Sequence, residues 1–200
     1  MCIHLQFNYK KATQAINFLA IKSGGRIGKL KALKLIFFAD RYHLRKFGRP
    51  ITNDEYYAMS YGPVASSVKD IAEFSEFLGE TERQYADLFL APEGHEVLSK
   101  AENDNKVFSN SDLESLEFAW EKFGRFSDFD LAKITHRYPE WKKHETALVE
   151  KKASRVKMRY EDFFEDPPSR AEKCFELAGK EKAAKLDCLK EISKIESMLG

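Results

Sequence analysis

Apolar residues recur at spacings of three and four along much of the chain, the period of an amphipathic helix. Asn8 can cap a first helix that ends at Gly24-Gly25, and a second helix is predicted from Lys29 to Phe47, with Gly48 as its stop. The middle of the second helix is apolar on nearly every side apart from Lys34. Because a helix of that kind packs on several neighbours, we expect it at the centre of the fold.

Later helices are marked by capping signals. A third helix is predicted from Ser66 to Leu78, and the Ser111–Glu114 pattern opens a fourth that ends at Gly124. Ser127–Asp130 repeats the pattern for a short fifth helix. We further expect a bend over 136–141 and a short helical piece over 160–164.

A last helix is predicted to begin at Ser169 and Glu172, after Pro167-Pro168, with Gly179 weakening its middle. It could pack on the body or meet a partner helix, and both interpretations stay open. Ile192, Ile195 and Leu199 are its candidate partner contacts. The predicted apolar seam consists of Cys174, Leu177, Glu181, Ala184, Cys188, Ile192, Ile195 and Leu199.

Strand signals are fewer. A strand through 56–59 is predicted to stop at Tyr61-Gly62-Pro63, because Pro63 offers no N–H to a ladder, which would make these three residues a rigid corner before the third helix. The stretches 85–90 and 95–98 resemble a hairpin around Pro92-Glu93-Gly94. The predicted fold class is therefore mainly α (α+β): a compact helical domain over 1–166 with a small antiparallel β element, followed by a long C-terminal helix within an extension over 167–200.

Composition limits the classes of function. The 200 residues are 43% hydrophobic and 32% charged, which suits one soluble domain. The chain has neither an apolar run of membrane-spanning length nor the apolar core of a secretion signal, and its three cysteines lack paired spacing. These features predict a cytoplasmic protein with free thiols.

Charge is distributed unevenly. Residues 1–50 hold 11 Lys and Arg against one acid, Asp40, whereas residues 51–150 hold 10 against 21 acids. The basic segment could pack beside the acidic one, or it could present a face to nucleic acid or an acidic partner. We favour mutual neutralisation, because motifs that read bases are missing.

Catalytic and metal-binding patterns are weak. The five histidines are scattered, no phosphate-binding glycine motif or nucleophile elbow occurs, and we expect neither metal nor cofactor. Asp40 and His43 share a helix face, where an acid can orient a catalytic histidine, but ion pairing explains Asp40 more simply. The sequence thus predicts a protein that is not an enzyme.

Two long stretches, taken together, resemble the SocA-like antitoxin family, or Panacea domain. The first resembles the family core, with its helix ending in Ala-Asp, its Gly-Arg-Pro-Ile and its Tyr-Gly-Pro-Val; the second resembles the family's Ser-x-x-Asp helix, Gly-x-x-Ser turn, histidine and tryptophan. The resemblance extends over about residues 9–166. The two stretches are KLKALKLIFFADRYHLRKFGRPITNDEYYAMSYGPVASSVKDI and FSNSDLESLEFAWEKFGRFSDFDLAKITHRYPEW.

The resemblance implies an antitoxin, of a toxin–antitoxin pair of the phage-defence type, that binds its cognate protein toxin directly. One branch of the family instead implies an adaptor that delivers the toxin to a ClpXP-type protease, and the basic first fifty residues leave a transcriptional regulator as a further alternative. Candidate partner-binding residues near the corner, if it is exposed, are Arg49, Tyr56, Tyr57 and Tyr61. The motif residues expected to act as scaffold are Asp40, His43, Gly48, Pro50, Gly62, Pro63, His136 and Trp141.

Overall fold

The computed structural model describes residue 3 and residues 5–167 and 175–199. It is mainly helical with two small antiparallel sheets, as the sequence predicts. The helices are α1 Tyr9–Lys22, α2 Lys29–Phe47, α3 Ser66–Glu73, α4 Glu80–Phe89, α5 Asn110–Phe123, α6 Asp128–Thr135, α7 Pro139–Lys142, α8 Glu145–Val149 and α9 Gly179–Leu199, with 3-10 turns at Asn105–Val107 and Tyr160–Phe164. The strands are β1 Arg26–Gly28, β2 Tyr56–Met59, β3 Gly62–Ala65, β4 Leu90–Glu93, β5 Glu96–Ser99 and β6 Arg155–Lys157.

Helix α2 is the centre of the core, and this prediction is confirmed. It packs against α1, α3, α5, α6 and α9, and most of its residues from Ala32 to Arg45 are buried. Phe37 and Phe38 join it to an aromatic cluster whose other members include Tyr56, Phe123, Tyr138 and Phe163. The helix ends at Gly48, which takes the left-handed conformation at φ +82° that favours glycine.

The β structure consists of two three-stranded antiparallel sheets with the orders β1-β5-β4 and β3-β2-β6. The Tyr61-Gly62-Pro63 prediction is wrong in one respect: the chain does not leave the sheet there. Met59 pairs with Gly62 and Ala58 with Pro63, so Ser60 and Tyr61 form the loop of a tight hairpin between β2 and β3. Pro63 is tolerated because β3 is an edge strand of its sheet, where a missing N–H need not cost a ladder bond.

Other differences are local. Residues 80–89, half of which we expected in a hairpin, form helix α4. Helix α3 stops at Glu73 because Phe74 adopts a left-handed φ of +52°, and the capping box of α5 uses Ser109 with Asp112 rather than Ser111 with Glu114. The predicted bend over 136–141 contains the short helix α7.

The C-terminal helix begins later than predicted. Gly179 starts α9 instead of lying in its middle, and the Ser169–Glu172 cap falls outside the described residues. The buried positions of α9 are Leu189 and Ser193, one step around the helix from the predicted seam. Ile192 is half-buried, Ile195 is exposed, and the side chain of Leu199 lies outside the described residues.

Arg45 ties the segment before α9 to the core. Its guanidinium is buried and donates to the carbonyl oxygens of Phe163 at 2.9 Å and Phe175 at 2.6 Å. Phe175 is itself only 1% exposed and packs among Phe118, Phe123 and Tyr138. The core therefore continues past residue 167, and the division into 1–166 and 167–200 stays a proposal about independent folding.

A truncation tests that division. We expect a chain ending at Ala178, which keeps Phe175 but lacks α9, to unfold cooperatively with a free energy of unfolding lower by about 2 kcal/mol, since among the described side chains of α9 Leu189 is the apolar one that is fully buried. Urea denaturation followed by near-UV circular dichroism measures the loss. A chain without fixed near-UV signal would show that α9 belongs to the folding unit.

Candidate interaction surface on the first hairpin

The β2–β3 hairpin has one face in the core and one toward solvent. Tyr56 and Ala58 point inward and are 2% and 0% exposed, whereas Tyr57 and Met59 alternate to the outside. The Tyr56 hydroxyl donates to Asp40 Oδ2 at 2.8 Å. Tyr56 is therefore a core residue, which corrects its candidacy as an exposed anchor, while Tyr57 keeps an outward position.

The hairpin loop carries an exposed aromatic pair. Tyr61 is 60% exposed and Phe129, in the first turn of α6, is 63% exposed, and their ring centroids lie 6.3 Å apart at 65°. Below them is a groove of about 770 Å³, also lined by Leu30, Leu33, Met59 and Val64.

A second hollow of about 300 Å³ adjoins the groove through Met59 and Val64 and reaches Tyr57 and Phe77, which is 80% exposed. The Arg155 guanidinium lies 5.1 Å from the Tyr57 ring centroid. We call this region the hairpin surface: the outward side chains of Tyr57, Met59, Tyr61, Phe77 and Phe129, together with Val64, which is 6% exposed and lines the floor between the two hollows.

The underside of the hairpin is fastened at three points. Lys34 Nζ donates to the Pro63 carbonyl oxygen at 2.7 Å, and Trp141 Nε1 donates to the Met59 carbonyl oxygen at 3.0 Å. Gly62 has φ +96°, and a Cβ placed on it would lie 2.3 Å from Thr135 Oγ1. Only glycine fits this position, so the loop is held close to α2, α6 and α7.

His136 supports the same site from behind. Its ring stacks on Trp141 at 3.7 Å between centroids and 6° between planes. Burial lowers the pKa of Lys34 to about 7, and burial followed by the charge of Lys34 lowers the pKa of His136. The structure thus brings Gly62, Pro63, His136 and Trp141 together as one scaffold, with Lys34 at its centre.

The other motif residues lie at the far end of α2. Asp40 accepts hydrogen bonds from Ile51 N and Thr52 Oγ1, both at 2.7 Å, in addition to the Tyr56 bond. Burial raises the pKa of Asp40, and these hydrogen bonds oppose the rise.

His43 makes contacts of its own: Nδ1 lies 2.6 Å from the Arg49 carbonyl oxygen and Nε2 lies 3.0 Å from Ser111 Oγ. With Gly48 as helix cap and Pro50 buried, Asp40 and His43 fasten the 48–52 turn to α2. Each side chain is thus occupied by structural contacts rather than presented to a substrate.

Arg49 is only partly available. Its guanidinium donates to Asp112 Oδ1 at 2.9 Å and Ser109 Oγ at 3.1 Å, and 30% of the side chain is exposed. The structure does not bring Arg49, or Ile192 and Ile195 of α9, into the hairpin surface. Sequence reasoning missed Phe129 and Phe77; the one available signal for Phe129 was an apolar residue in a first turn of otherwise polar residues.

Ion pairs join the basic N-terminal segment to the acidic one. Lys11 lies 2.6 Å from Asp112, Lys22 lies 2.7 Å from Glu117, and Lys46 contacts Glu114. Further pairs are Arg26 with Glu96 and Arg41 with Glu140. This arrangement supports neutralisation between the segments over a basic face for nucleic acid.

Residues 5–167 and 175–199 hold no group of three or more His, Cys, Asp or Glu placed to bind a metal ion. Within the same part of the chain, no helix has the length and apolar character needed to cross a membrane.

Comparison with known proteins identifies the family. No curated protein and no solved structure matches the chain. A family model described as "Antitoxin SocA-like, Panacea domain" matches residues 33–142, more than half of the chain and the part that contains most of α2, the β2–β3 hairpin and Trp141. The chain belongs to the SocA-like antitoxin family and carries its Panacea domain.

Proposed function

We propose that this protein is the antitoxin of a phage-defence toxin–antitoxin pair and neutralises its cognate protein toxin in the cytoplasm by direct binding, without catalysis or a cofactor. Family membership supports the antitoxin role in general. The observation that carries the binding mode is the aromatic pair of Tyr61 and Phe129, exposed above an apolar groove on a hairpin fastened from below.

Physical chemistry favours this surface as the toxin site. A few aromatic or arginine side chains that become fully desolvated dominate binding at protein interfaces. An anchor that is rigid before binding loses little conformational entropy on association. The loop of Tyr61 meets that condition because Gly62 admits no other residue and Lys34 and Trp141 hold both strands.

The hairpin surface is tested by truncating its anchors. We expect Tyr61→Ala and Phe129→Ala each to weaken toxin binding by about 30-fold, the effect of a hot spot worth about 2 kcal/mol. Leu88→Ala on α4 is the matched control, because Leu88 is 64% exposed and lies outside the hairpin surface. Binding is measured by calorimetry with the protein encoded beside this chain, and neutralisation by growth on co-expression.

The outcomes separate the alternatives. Failure of the unmodified chain to rescue growth would contradict the antitoxin pairing itself, and rescue with unchanged affinity in both alanine variants would place the toxin elsewhere. Lower affinity of the chain ending at Ala178 would then favour α9, with Ile192, Ile195 and Leu199, for toxin binding or self-association. A toxin whose half-life shortens when this chain is present would favour the proteolytic adaptor.

A further inference from the structure

Lys34 is a buried amine directly beneath the proposed binding loop. Its side chain is 0% exposed, and Nζ donates to the Pro63 carbonyl oxygen in the edge strand of the hairpin. Burial of a lysine at this position costs free energy, because burial disfavours the charged ammonium. Its presence here therefore indicates that its contact has a role. Methionine or leucine would fill the same space between α2 and β3 without that cost.

Among the described residues, strand β3 and helix α6 present polar groups near Lys34. Strand β3 presents Gly62 and the Pro63 carbonyl, and Nζ lies 3.2 Å from the place where a Cβ on Gly62 would stand. Helix α6 presents the Thr135 hydroxyl and, just past its end, the ionisable His136 ring, which senses the charges of Lys34, Lys142 and Glu145. No carboxylate forms an ion pair with Lys34 among the described residues.

We propose that Lys34 is a positioning residue that makes the hairpin surface responsive to protons: with a neutral amine the hairpin stays docked on α2, and protonation favours its release. The cause is a difference in solvation between two states. When the hairpin is docked the amine is dry, and when it lifts, water reaches Nζ and solvates the ammonium. A proton therefore binds more tightly to the lifted state, so lower pH favours lifting.

The pKa values fix the direction and the window. The pKa of Lys34 is about 7 in the docked state, against 10.5 for a solvated lysine. The free energy that favours the docked hairpin over the lifted one therefore increases with pH between 7 and 10.5 and does not change with pH below 7. Between pH 6.5 and pH 8.5 the equilibrium constant for lifting falls by about 20-fold, according to the proton linkage of one such group.

The test is hydrogen exchange of the backbone amides at pH 6.5 and 8.5, corrected for the intrinsic exchange rate at each pH. We expect protection of β2 and β3 amides in the unmodified protein to rise about 20-fold, and the β4–β5 hairpin to serve as the internal control without that rise. Lys34→Met should abolish the pH response of β2 and β3. If both hairpins change equally, or neither changes, the proposal is wrong, and this comparison needs no variant.

A measurement of toxin binding then tests whether the pH response of the hairpin affects function, and this step rests on the proposed function. Toxin affinity of the unmodified chain is expected to be higher at pH 8.5 than at pH 6.5, with a smaller change for Lys34→Met. Exchange that responds to pH while affinity does not would contradict the hairpin surface as the toxin site and leave the role of Lys34 intact. Exchange without a pH response would contradict the role of Lys34 and leave the toxin site open.

Discussion

Replacing Glu140 with glutamine is expected to lower the free energy of unfolding by about 3 kcal/mol, at the lower end of the range for a buried ion pair that loses one partner. Arg41 Nε donates to Glu140 Oε1 at 2.7 Å, and both side chains are 0% exposed. Arginine is a cation, so glutamine leaves a buried positive charge without a counter-charge. Glutamine keeps the shape and one acceptor oxygen, which isolates the charge.

Glu140 balances more than one cation. Burial raises its pKa, and the charges of Arg41 and Arg45 oppose that rise. Arg41 also lies over the rings of Tyr138 at 4.5 Å and Phe175 at 4.7 Å, so its position orders the aromatic cluster. We expect disturbance at Glu140 to spread into the core instead of staying at one pair.

The matched control is Glu145→Gln. Glu145 pairs with Lys142 at 2.6 Å, but the two side chains are 36% and 58% exposed, and such a pair contributes about 0–1 kcal/mol. Urea denaturation of the two variants against the unmodified protein measures the contrast. Equal, small losses in both would mean that Glu140 is protonated in the folded protein and carries no charge to lose.

Local signals in the sequence were sufficient for much of the helical framework. The Asn8 and Ser127 side chains accept hydrogen bonds from backbone N–H groups three residues on, and Gly48 closes α2 in the left-handed conformation. Each of these signals acts within one turn of helix, so neighbouring residues alone are enough to predict it. Helix α4 begins after Gly79, which has no side chain to cap it, and among its residues only Ala86 is buried, so the pattern over 85–90 resembles a strand even though Glu82 accepts from Gly79 N at 3.0 Å.

Contacts between distant segments determine the structural features that the sequence pattern did not predict. Tyr56 is buried because Asp40, sixteen residues earlier on α2, accepts its hydroxyl. The buried line of α9 runs through Leu189 and Ser193, whereas the predicted seam ran through Cys188 and Ile192. Adjacent stripes of a helix have the same spacing, so the pattern alone does not choose between them.

The candidate site likewise contains residues that local sequence signals predict and residues that only tertiary packing brings together. The residue types of Tyr61, Gly62 and Pro63 predict a turn there, because glycine permits a positive φ and proline fixes its own φ wherever they occur. The roles of Phe129 and Lys34 follow from the packing of α6 and α2 against the hairpin, which local sequence does not indicate. The sequence could identify the loop, but not the neighbours that hold it and extend its surface.

Gly62→Ala is expected to lower the free energy of unfolding by about 2–4 kcal/mol, through a backbone strained at positive φ and a side chain forced into a packed neighbour. The φ of Gly62 is +96°, and its new methyl group would stand 2.3 Å from Thr135 Oγ1. That hydroxyl is itself fixed by donation to the Ala132 carbonyl oxygen at 2.7 Å, so the contact is not relieved by a simple side-chain rotation.

Gly94→Ala provides the control, because Gly94 also has a positive φ, +56°, in the turn of the other hairpin, but a Cβ there meets nothing within 4 Å. It should cost about 1 kcal/mol, the backbone part alone. Adding Thr135→Ala to Gly62→Ala should recover part of the larger loss, and a double-mutant cycle measured by thermal unfolding gives the size of the coupling. Additive losses would show that the strain lies in the backbone and that Thr135 does not hold the loop.

The same variant links stability to function. If α6 clamps the loop through Thr135, Gly62→Ala must lift the hairpin from α2, and the Lys34 amine then loses the Pro63 carbonyl as its partner. Toxin affinity should therefore fall even at temperatures where the variant is fully folded, whereas Gly94→Ala should bind normally at the same temperature. Unchanged affinity of folded Gly62→Ala would mean that the toxin does not need the docked hairpin.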